Sequence, residues 1–345
     1  MPPQHKTRIA VVGAGAFGRN HARVYHELAQ QDAALEFVAV VDANVGRAKE
    51  VARQFGAQAF ATVAGLKGKV DAATVAVPTV AHLEVAQQLM RDGIDVLIEK
   101  PVASSLREAD ELIKLARQHQ RIAQVGHLER FNPAVRATAK LITKPMFFEV
   151  HRLSVFTPRA LDVDVVLDLM IHDLDIVLSF VDSPVKEVRA VGLPILSDKV
   201  DIANVRMEFD SGCVANFTAS RVSTERIRKL RFFQPHQYVS LDYTRQDVVV
   251  FTVGDGKGEA PPPAPGLAEV DAARHSSAHP SGPEIRPFKP EVTHEEPLHA
   301  ELRAFLHAVR TRTQPVVPLE EGRRALAVAL EILAAIRDHS RRIGF

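Results

Sequence analysis

The chain has very little cysteine: Cys213 is the single one among 345 residues. One thiol cannot form a disulfide within the chain, and such scarcity is typical of a reducing compartment. We therefore predict a cytoplasmic protein in which Cys213 is a small packed residue of a strand. The sequence also lacks an apolar run long enough to cross a bilayer, and we expect no removable N-terminal leader.

The chain also lacks an excess of charge of either sign. Its 43 Lys and Arg residues almost balance its 42 Asp and Glu residues, which gives a formal net charge of +1. A nucleic-acid or membrane partner usually selects for a marked positive excess, so we predict neither. The length is sufficient for two domains of ordinary size.

Short apolar runs alternate with stretches of helical spacing in the first part of the chain. The predicted strands are 8–13, 36–42, 71–77, 95–99 and 122–126. The predicted helices between them are 16–28, 45–55, 81–91 and 104–119. Strands that alternate with helices of this length are typical of an α/β fold, in which helices cover both faces of a parallel sheet.

A glycine-rich loop follows the first predicted strand. The segment GAGAFG places Gly13, Gly15 and Gly18 at the three positions of a dinucleotide-binding loop. The first glycine allows a tight turn, the second lets the backbone approach a pyrophosphate, and the third permits close packing of helix on strand. The phosphates would lie at the N-terminus of the first helix, beside Ala16 and Phe17. A glycine-rich turn without a ligand is the alternative, and the strand before and helix after favour the cofactor site.

An acidic residue, Asp42, ends the second predicted strand. A carboxylate in this position can accept hydrogen bonds from the ribose hydroxyls of adenosine, which favours NAD over NADP. Arg47 lies just beyond the strand and could instead hold the 2′-phosphate of NADP. We predict NAD as the cofactor and keep NADP as the less favoured alternative.

Ionisable residues interrupt a long apolar run near the middle of the chain. Asp168, His172 and Asp175 lie within the segment 165–181, where most other residues are apolar. In a helix, residues i, i+4 and i+7 share one face, and ionisable groups on a buried helix are costly unless they are paired or face a cavity. We interpret these three residues as a candidate acid–base site. The alternative is a satisfied polar seam between packed helices.

Five motifs occur in order along the chain: GAGAFG, VAVPTVAH at 75–82, EKP at 99–101, VGHLERFNPAV at 125–135 and DLMIHDLD at 168–175. By these motifs the sequence resembles the glucose–fructose oxidoreductase/inositol dehydrogenase (Gfo/Idh/MocA) family. The resemblance implies an NAD(P)-dependent dehydrogenase that acts on CH–OH groups. It implies a doubly wound Rossmann domain over 1–127, followed over 128–345 by a substrate-binding α/β domain with a large, open, mostly antiparallel sheet. A second subunit commonly covers that sheet, so we predict a homodimer or homotetramer.

The composition of the second half agrees with such a sheet. Strand-like segments occur at 147–156, 185–193, 204–209, 213–221, 229–233, 238–243 and 248–253, and Asp210–Ser211–Gly212 suits a hairpin turn. Residues 254–290 are rich in Pro, Gly, Ala and Ser and predict a long surface loop, as a lid, an oligomer arm or, by default, an insertion. Helical periodicity returns at 297–311 and 319–343.

The resemblance also implies which residues carry the chemistry. In family members the lysine of EKP and the histidine of the D-x-x-x-H helix lie near the reacting hydroxyl, and here these are Lys100 and His172. His172 can accept the hydroxyl proton as hydride leaves, with Asp168 orienting the ring. Lys100 would polarise the oxygen, although the roles of Lys100 and His172 could be exchanged. A cis bond before Pro101 would direct the lysine into the cleft.

Further residues are candidates for binding cofactor. Pro78 and His82 follow the strand at 71–77, at the edge where open α/β sheets bind ligands. His82 could equally be an ordinary residue of the first helical turn. Glu99 and Lys100, at the end of the next strand, belong to the same predicted set.

Another group is a candidate for binding substrate. Arg130 could pair with a substrate phosphate or carboxylate, or it could form an interdomain salt bridge. Asn132 lies beside it, and Asp175 could contact the substrate or complete a buried network. Together with the three catalytic candidates, these residues form the predicted substrate site. No metal site is predicted.

The motifs most resemble those of members that act on UDP-N-acetylhexosamines and oxidise the sugar 3-hydroxyl to a ketone. Basic residues within NFTASRVSTERIRKLRFF could hold a diphosphate, or they could form the solvated face of a strand. Asp164–Val165–Val166 and Met170 occupy places where the family often has glycine, so we expect a bulkier pocket wall. The alternatives are a polyol or inositol-type dehydrogenase and a non-catalytic dinucleotide-binding regulator.

Overall fold

The computed structural model describes residues 6–157, 163–253, 267–269 and 285–343. The chain forms two compact units. The first comprises the described residues up to Leu128 together with Glu296–Ala327, and the second comprises Glu129–Glu295 and the residues from Val328 onwards. The boundary at 127/128 drawn from the sequence stays a prediction of domain organisation. The return of the chain to the first unit over 296–327 is a feature that the sequence pattern does not reveal.

The described elements are as follows in chain order. The strands are Thr7–Val12 (β1), Leu35–Val41 (β2), Gln58–Phe60 (β3), Ala72–Val75 (β4), Asp95–Glu99 (β5), Ala123–Gly126 (β6), Phe147–Val155 (β7), Val185–Leu193 (β8), Ile202–Phe209 (β9), Val214–Ser223 (β10), Ile227–Gln234 (β11), Gln237–Asp242 (β12), Asp247–Val253 (β13), Leu267–Glu269 (β14) and Ile285–Pro290 (β15). The α-helices are Ala16–Gln31 (α1), Val45–Phe55 (α2), His82–Arg91 (α3), Leu106–Gln118 (α4), Pro133–Ala139 (α5), Ile171–Phe180 (α6), Pro297–Thr311 (α7) and Leu319–Arg342 (α8). Short 3₁₀ helices span Val63–Leu66, Thr79–Ala81 and Leu128–Phe131, and a π-helical turn spans Val166–Met170.

The first unit contains a six-stranded sheet in the order β3-β2-β1-β4-β5-β6, with every pair parallel. The order reverses beside β1, as in a doubly wound Rossmann sheet, which confirms the predicted fold class. The central strands are almost entirely buried, as strands covered on both faces must be. The short edge strand β3 was not predicted, because three residues carry too little periodicity to detect.

The helix α7 completes the core of this first unit. Leu298, Leu302 and Phe305 recur at helical spacing and are buried in the same hydrophobic cluster as Tyr25 of α1 and Val11 of β1. Phe305 and Leu302 are fully buried. The apolar face of α7 therefore replaces water over part of the sheet and of α1, which stabilises the unit by burial of apolar area.

The second unit contains a nine-stranded sheet in the order β14-β15-β13-β12-β11-β7-β10-β9-β8. All its strand pairs are antiparallel except β7 with β10, so the predicted large and mostly antiparallel sheet is confirmed. Alternating residues such as Phe148, Phe217 and Phe232 are buried on one face. The predicted turn joins β9 to β10, where Gly212 has a φ of +82° that favours glycine.

Two sequence-based expectations are corrected in this unit. Within the predicted loop 254–290, the segments Leu267–Glu269 and Ile285–Pro290 are strands, and β15 pairs with β13 at one end of the sheet. The prolines at 287 and 290 argued against a strand, and they are tolerated near a sheet edge. The rest of that loop lies outside the described residues. The predicted continuous helix 165–181 begins instead with a π-helical turn.

The single cysteine is confirmed as a packed residue. Cys213 is 2% exposed, directly before β10, and burial raises the pKa of its thiol to about 11. A thiol with such a pKa is inert near neutral pH. Among the described helices, none is both long enough and apolar enough to cross a membrane.

Candidate active site

The glycine loop connects β1 to α1 and leaves almost no room for side chains. Gly13 has a φ of +100°, and a Cβ there would lie 2.3 Å from the carbonyl oxygen of Ala76. A Cβ on Gly18 would lie 1.7 Å from the carbonyl oxygen of Gly13, whereas a Cβ on Gly15 would meet no atom within 4 Å. Gly13 and Gly18 thus make the turn and the close packing possible, and Gly15 leaves open space where a ligand can approach.

A cavity of about 730 Å³ opens in front of this loop. Its walls come from the ends of β1, β2 and β4 and from the first turn of α1. They include six residues predicted to bind cofactor, namely Gly13, Gly15, Ala16, Phe17, Asp42 and Pro78. A volume of this size is typical of a cofactor or small-molecule site. The shape of the loop and the N-terminus of α1 together fit a dinucleotide.

Asp42 is fixed against the glycine loop. One carboxylate oxygen, Oδ2, accepts a hydrogen bond from the Ala14 N–H at 2.8 Å. The other, Oδ1, accepts from the Asn44 N–H at 2.7 Å and from Arg47 Nη2 at 3.1 Å. Asp42 is 8% exposed while the Arg47 side chain is 58% exposed, so the arginine extends from the carboxylate towards solvent. Both predicted determinants of NAD or NADP preference therefore lie on one wall of the cavity.

His82 and Lys100 do not line this cavity. The His82 ring instead contacts the backbone of the EKP segment. His82 is 1% exposed, with Nδ1 3.0 Å from the carbonyl oxygen of Pro101 and Nε2 3.0 Å from that of Val77. Burial lowers the pKa of His82 more than its backbone acceptors raise it. A neutral ring carries one N–H, so it donates to one of these two carbonyl oxygens at a time. The predicted cis bond between Lys100 and Pro101 is confirmed.

Glu99, also a predicted cofactor contact, is directed into the interior of the first unit. Its Oε1 lies 2.8 Å from His21 Nε2, and its Oε2 accepts the Lys100 N–H at 3.3 Å. Burial pushes the pKa of Glu99 up, but the hydrogen bond and charge of His21 and the charge of Lys100 bring it below its usual range. Glu301 of α7 has its carboxylate in the same cluster. Neither His21 nor Glu301 was singled out in the sequence.

The motif DLMIHDLD straddles the junction of the π-helical turn and α6. Asp168 lies in the π-helical turn and His172 in α6, and both side chains are half-buried. A π-helical turn inserts an extra residue relative to an α-helix, so the spacing assumed for one shared face does not hold. Such turns occur frequently at functional sites. Asp175 differs from the other two because it is 2% exposed.

Arg130 and Asp175 pair with each other within the second unit. Arg130 Nε donates to Asp175 Oδ2 at 2.7 Å, and Nη2 donates to Oδ1 at 3.3 Å. The neighbouring Asn132 is 2% exposed, caps α5 by accepting the Ala134 N–H, and donates to Glu129 and the Tyr243 carbonyl. Of the alternatives weighed for Arg130, a salt bridge is present, and it lies within one unit rather than between domains. Contacts of these residues with substrate stay predictions.

A buried charge network lies next to His172 in the chain and was missed in the sequence. Asp173 accepts two hydrogen bonds from Arg152, at 2.7 and 2.8 Å, and Glu129 accepts a third at 3.1 Å. The Arg152 guanidinium also lies 5.0 Å from the ring centroid of Tyr243. Burial disfavours the charge on Arg152, but Asp173 and Glu129 outweigh it and raise its pKa. The available signal was the even spacing of Phe148, Val150 and Arg152, which places the arginine on the buried face of β7.

One basic residue considered for diphosphate binding has a structural position instead. Arg221 is 5% exposed, lies 3.3 Å from Asp201 and donates to the Val163 carbonyl. Arg228 lies directly opposite Arg152 in the pairing of β11 with β7, and its pKa is lowered by burial and by that neighbouring charge. Arg226, Lys229 and Arg231 remain among the more exposed residues of this region.

Both halves of the chain match sequence families. Residues 7–127 match the oxidoreductase family with an NAD-binding Rossmann fold of Gfo/Idh/MocA proteins, and residues 145–234 match a Gfo/Idh/MocA C-terminal domain. The chain is 34% identical over 330 residues to a UDP-N-acetylglucosamine 3-dehydrogenase of Acidithiobacillus ferrooxidans, covering 95% of this chain and 97% of that protein. It is 29% identical to a scyllo-inositol 2-dehydrogenase (NAD(+)) of Bacillus subtilis, covering 64% and 69%.

Solved structures agree with these matches. A structure of the A. ferrooxidans UDP-N-acetylglucosamine 3-dehydrogenase superposes with a TM-score of 0.83 at 32% identity, covering 96% of this chain and 98% of that one. A levoglucosan dehydrogenase in complex with NADH and levoglucosan has a TM-score of 0.80 at 16% identity, covering 96% and 98%, and shows the shared fold. The chain is therefore a member of the Gfo/Idh/MocA family of oxidoreductases.

Proposed function

We propose that this oxidoreductase uses NAD to oxidise the 3-hydroxyl of a UDP-N-acetylhexosamine to a ketone. The observation that carries the proposal is similarity over almost the whole chain to a UDP-N-acetylglucosamine 3-dehydrogenase. The three residues assigned to the chemistry, Lys100, Asp168 and His172, are all present. The inositol dehydrogenase match covers less of the chain, so a polyol substrate is the second candidate.

The cavity in the first unit supports the cofactor part of the proposal. The pyrophosphate would lie against Gly13, Gly15 and the first turn of α1, and Asp42 would accept hydrogen bonds from the adenosine ribose. The bound nicotinamide supplies the acceptor for the hydride that leaves the sugar carbon. Asp42 accepts hydrogen bonds from Arg47 and from two backbone N–H groups. These bonds hold its carboxylate in the position where a ribose would approach.

Residues of the chain itself would accept the proton of the sugar hydroxyl and stabilise its oxygen. His172 accepts the hydroxyl proton while Asp168 orients or stabilises the charged ring. Lys100 stabilises the negative charge that develops on the oxygen as the proton leaves. Lys100 follows Glu99, whose pKa is lowered, so a carboxylate lies beside the lysine and favours its charged form.

The test is turnover by the purified chain, followed by the absorbance of reduced nicotinamide. UDP-N-acetylglucosamine and UDP-N-acetylgalactosamine should be oxidised with NAD, whereas UDP-glucose, myo-inositol and scyllo-inositol should react far more slowly. Turnover of an inositol but of none of the nucleotides would select the polyol dehydrogenase. Tight binding of NAD without turnover of any of these compounds would favour the non-catalytic regulator.

Replacement of Asp42 should weaken NAD binding. In Asp42→Ala the KM for NAD should rise about 10- to 100-fold, because hydrogen bonds to a charged group contribute about 1.5–3 kcal/mol. Arg47→Ala is the matched variant on the same wall, and its KM for NAD should stay within about threefold of the original. The measurement is initial rate against NAD and NADP concentration for all three proteins. Faster turnover with NADP, lost in Arg47→Ala, would reverse the cofactor assignment.

We also propose that the protein is a homo-oligomer through the outward face of the nine-stranded sheet. An aromatic stripe, made of Phe147, Phe233, Tyr238 and Phe251, crosses four neighbouring strands on that face. Successive ring centroids are 5.7, 5.0 and 5.5 Å apart. Glu149 and Arg231, which pair with each other at 3.6 Å, lie beside it. A two-fold interface brings the same patch of two copies together, so the aromatic stripe would pack against its counterpart.

A charge in the aromatic stripe should dissociate the oligomer. Phe233→Arg should lower the association constant by at least about 100-fold, because an unpaired buried charge costs several kcal/mol. Val316→Arg, at a residue of the first unit that is 53% exposed, is the control and should associate like the unchanged protein. Sedimentation velocity across micromolar concentrations distinguishes them. An unchanged protein that sediments as a monomer throughout would contradict the proposal.

A further inference from the structure

One arginine of the second unit has no acidic partner. Arg228 lies in β11, and its Nε is buried without a hydrogen-bond partner among the described residues. No salt bridge or side-chain hydrogen bond joins its guanidinium to another described residue. Lys229 and Arg231 of the same strand, in contrast, each lie within 4.0 Å of a carboxylate oxygen. Buried polar groups are nearly always hydrogen-bonded, so the missing partner of Arg228 requires an explanation.

The strand pairing places Arg228 next to a second arginine. Arg228, Leu230 and Phe232 alternate along β11 on one face of the sheet, where the two apolar residues are fully buried. On this face Arg228 lies directly opposite Arg152 of β7. The Cβ atoms of directly opposite residues are about 4.5–5.5 Å apart, and like charges in such a pair repel each other. Two guanidinium groups therefore meet at the end of a hydrophobic face.

The acids near this pair already accept hydrogen bonds from other residues. Both carboxylate oxygens of Asp173 accept from Arg152. Glu129 accepts from Arg152 through Oε1 and from Asn132 through Oε2. Burial and the charge of Arg152 lower the pKa of Arg228, and the charges of Glu129 and Asp173 offset this only in part. The Arg228 guanidinium thus lacks a direct counterion, which an anionic ligand can supply.

The unpaired guanidinium is linked to the segment that carries His172. Arg152, opposite Arg228, donates two hydrogen bonds to Asp173, the residue that follows His172 in α6. The Arg228 carbonyl accepts the backbone N–H of Tyr243 at 3.0 Å, and the Tyr243 ring lies 5.0 Å from the Arg152 guanidinium. All of these residues belong to the second unit. One buried ion pair therefore connects the strand of Arg228 with the helix of the proposed general base.

We propose that Arg228 binds the diphosphate of the nucleotide-sugar substrate. This inference rests on the proposed function and names the residue that recognises the charged part of the substrate. A phosphate group presents several acceptor oxygens, and the planar guanidinium of arginine can donate to two of them at once. The pyrophosphate of NAD is assigned to the glycine loop of the first unit, so Arg228 serves the substrate. Inositols carry no phosphate and would gain nothing from this residue.

Binding of UDP tests the proposal without turnover, because UDP has the diphosphate but no sugar to oxidise. Calorimetry with saturating NAD, which occupies the glycine loop, should show that Arg228→Gln raises the dissociation constant for UDP about 10- to 100-fold. Arg228→Lys keeps the charge without the planar fork and should give an intermediate value. Arg189→Gln is the matched control. The Arg189 side chain, in β8 of the same sheet, is 76% exposed and pairs with Glu187, so its loss should change this constant by no more than about twofold.

Further measurements distinguish binding from a structural role. Because Arg228 has no partner among the described residues, Arg228→Gln should unfold at or above the temperature of the unchanged protein. UDP should raise that temperature less in the variant than in the unchanged protein. The KM for UDP-N-acetylglucosamine should rise by the same factor as the dissociation constant for UDP, while kcat and the KM for NAD stay within about threefold. A variant that fails to fold would show that Arg228 is structural and would overturn the proposal.

The outcomes also separate this inference from the proposed function. Turnover of UDP-N-acetylglucosamine, with the KM and the UDP dissociation constant unchanged in Arg228→Gln, would support the function and overturn the assignment of Arg228. If no nucleotide sugar were turned over, but UDP and inorganic pyrophosphate bound and Arg228→Gln weakened both, the function would be wrong and Arg228 would stand as a diphosphate-binding residue. An unchanged protein that binds neither UDP nor pyrophosphate would overturn both.

Discussion

Replacing His172 with glutamine should lower kcat about 10²- to 10⁴-fold, the contribution typical of a positioned general base. Glutamine approximates the polar shape of the ring but cannot accept a proton near neutral pH. The dissociation constant for NAD should stay within a few-fold, because the described cavity for the cofactor is built from first-unit residues while His172 belongs to the second. His307→Gln, at an exposed position of α7, is the control and should leave kcat within about twofold.

The same experiment decides between the two exchangeable roles. If His172 is the base, the acid limb of the kcat profile should disappear in His172→Gln, while Lys100→Met should keep that limb at a strongly reduced rate. An isotope effect with sugar deuterated at carbon 3 would confirm that the chemical step is being measured. A His172→Gln enzyme with unchanged kcat would show that the assignment of the base is wrong and would leave Lys100 in that role.

Removing one charge from the buried network beside His172 should strongly destabilise the fold. Asp173→Asn should reduce the free energy of unfolding by up to about 3–5 kcal/mol, because Arg152 keeps its charge in the interior and loses the carboxylate that accepts two of its hydrogen bonds, so that only Glu129 still pairs with it. Asp182→Asn, at an exposed position just after α6, should change it by no more than about 0.5 kcal/mol. Urea unfolding monitored by circular dichroism provides the comparison.

A triple replacement makes the electrostatic reason specific. Arg152→Met with Asp173→Leu and Glu129→Gln removes all three charges of the network while keeping unbranched or branched side chains of the same form, and it should recover much of the stability lost in Asp173→Asn. If the triple variant were as unstable as the single one, packing geometry rather than an uncompensated charge would explain the loss. The contribution of the network to stability would then come from the packing of its side chains around Tyr243.

The parts of the fold that were predicted correctly depend on local periodicity. The strands and helices around the glycine loop repeat a pattern that a parallel sheet requires, and the loop itself follows from the close approach of Gly13 and Gly18 to neighbouring backbone. The alternation along β9 and β10 likewise gives one buried and one outward face. In these segments the sequence pattern and the tertiary environment favour the same structure.

The missed features depend on partners that are distant in sequence. Asp173 looks like a second acid beside His172 until Arg152 is placed next to it. Glu301 occupies an ordinary position of an amphipathic helix, and only the packing of α7 in the first unit shows that it is buried. The π-helical turn before α6 changes the spacing of Asp168 and His172 without a sequence signature that single-chain periodicity would detect.

The late return of the chain to the first unit has a consequence for synthesis on the ribosome. Domains generally fold as they emerge, N-terminal first. Here the hydrophobic cluster that contains Val11 and Tyr25 is incomplete until Leu302 and Phe305 have been synthesised. These two residues are translated after most of the second unit. A nascent chain stalled near residue 290 should therefore expose the surface that α7 later covers and remain susceptible to proteases and chaperones, whereas release of the full chain should end that exposure.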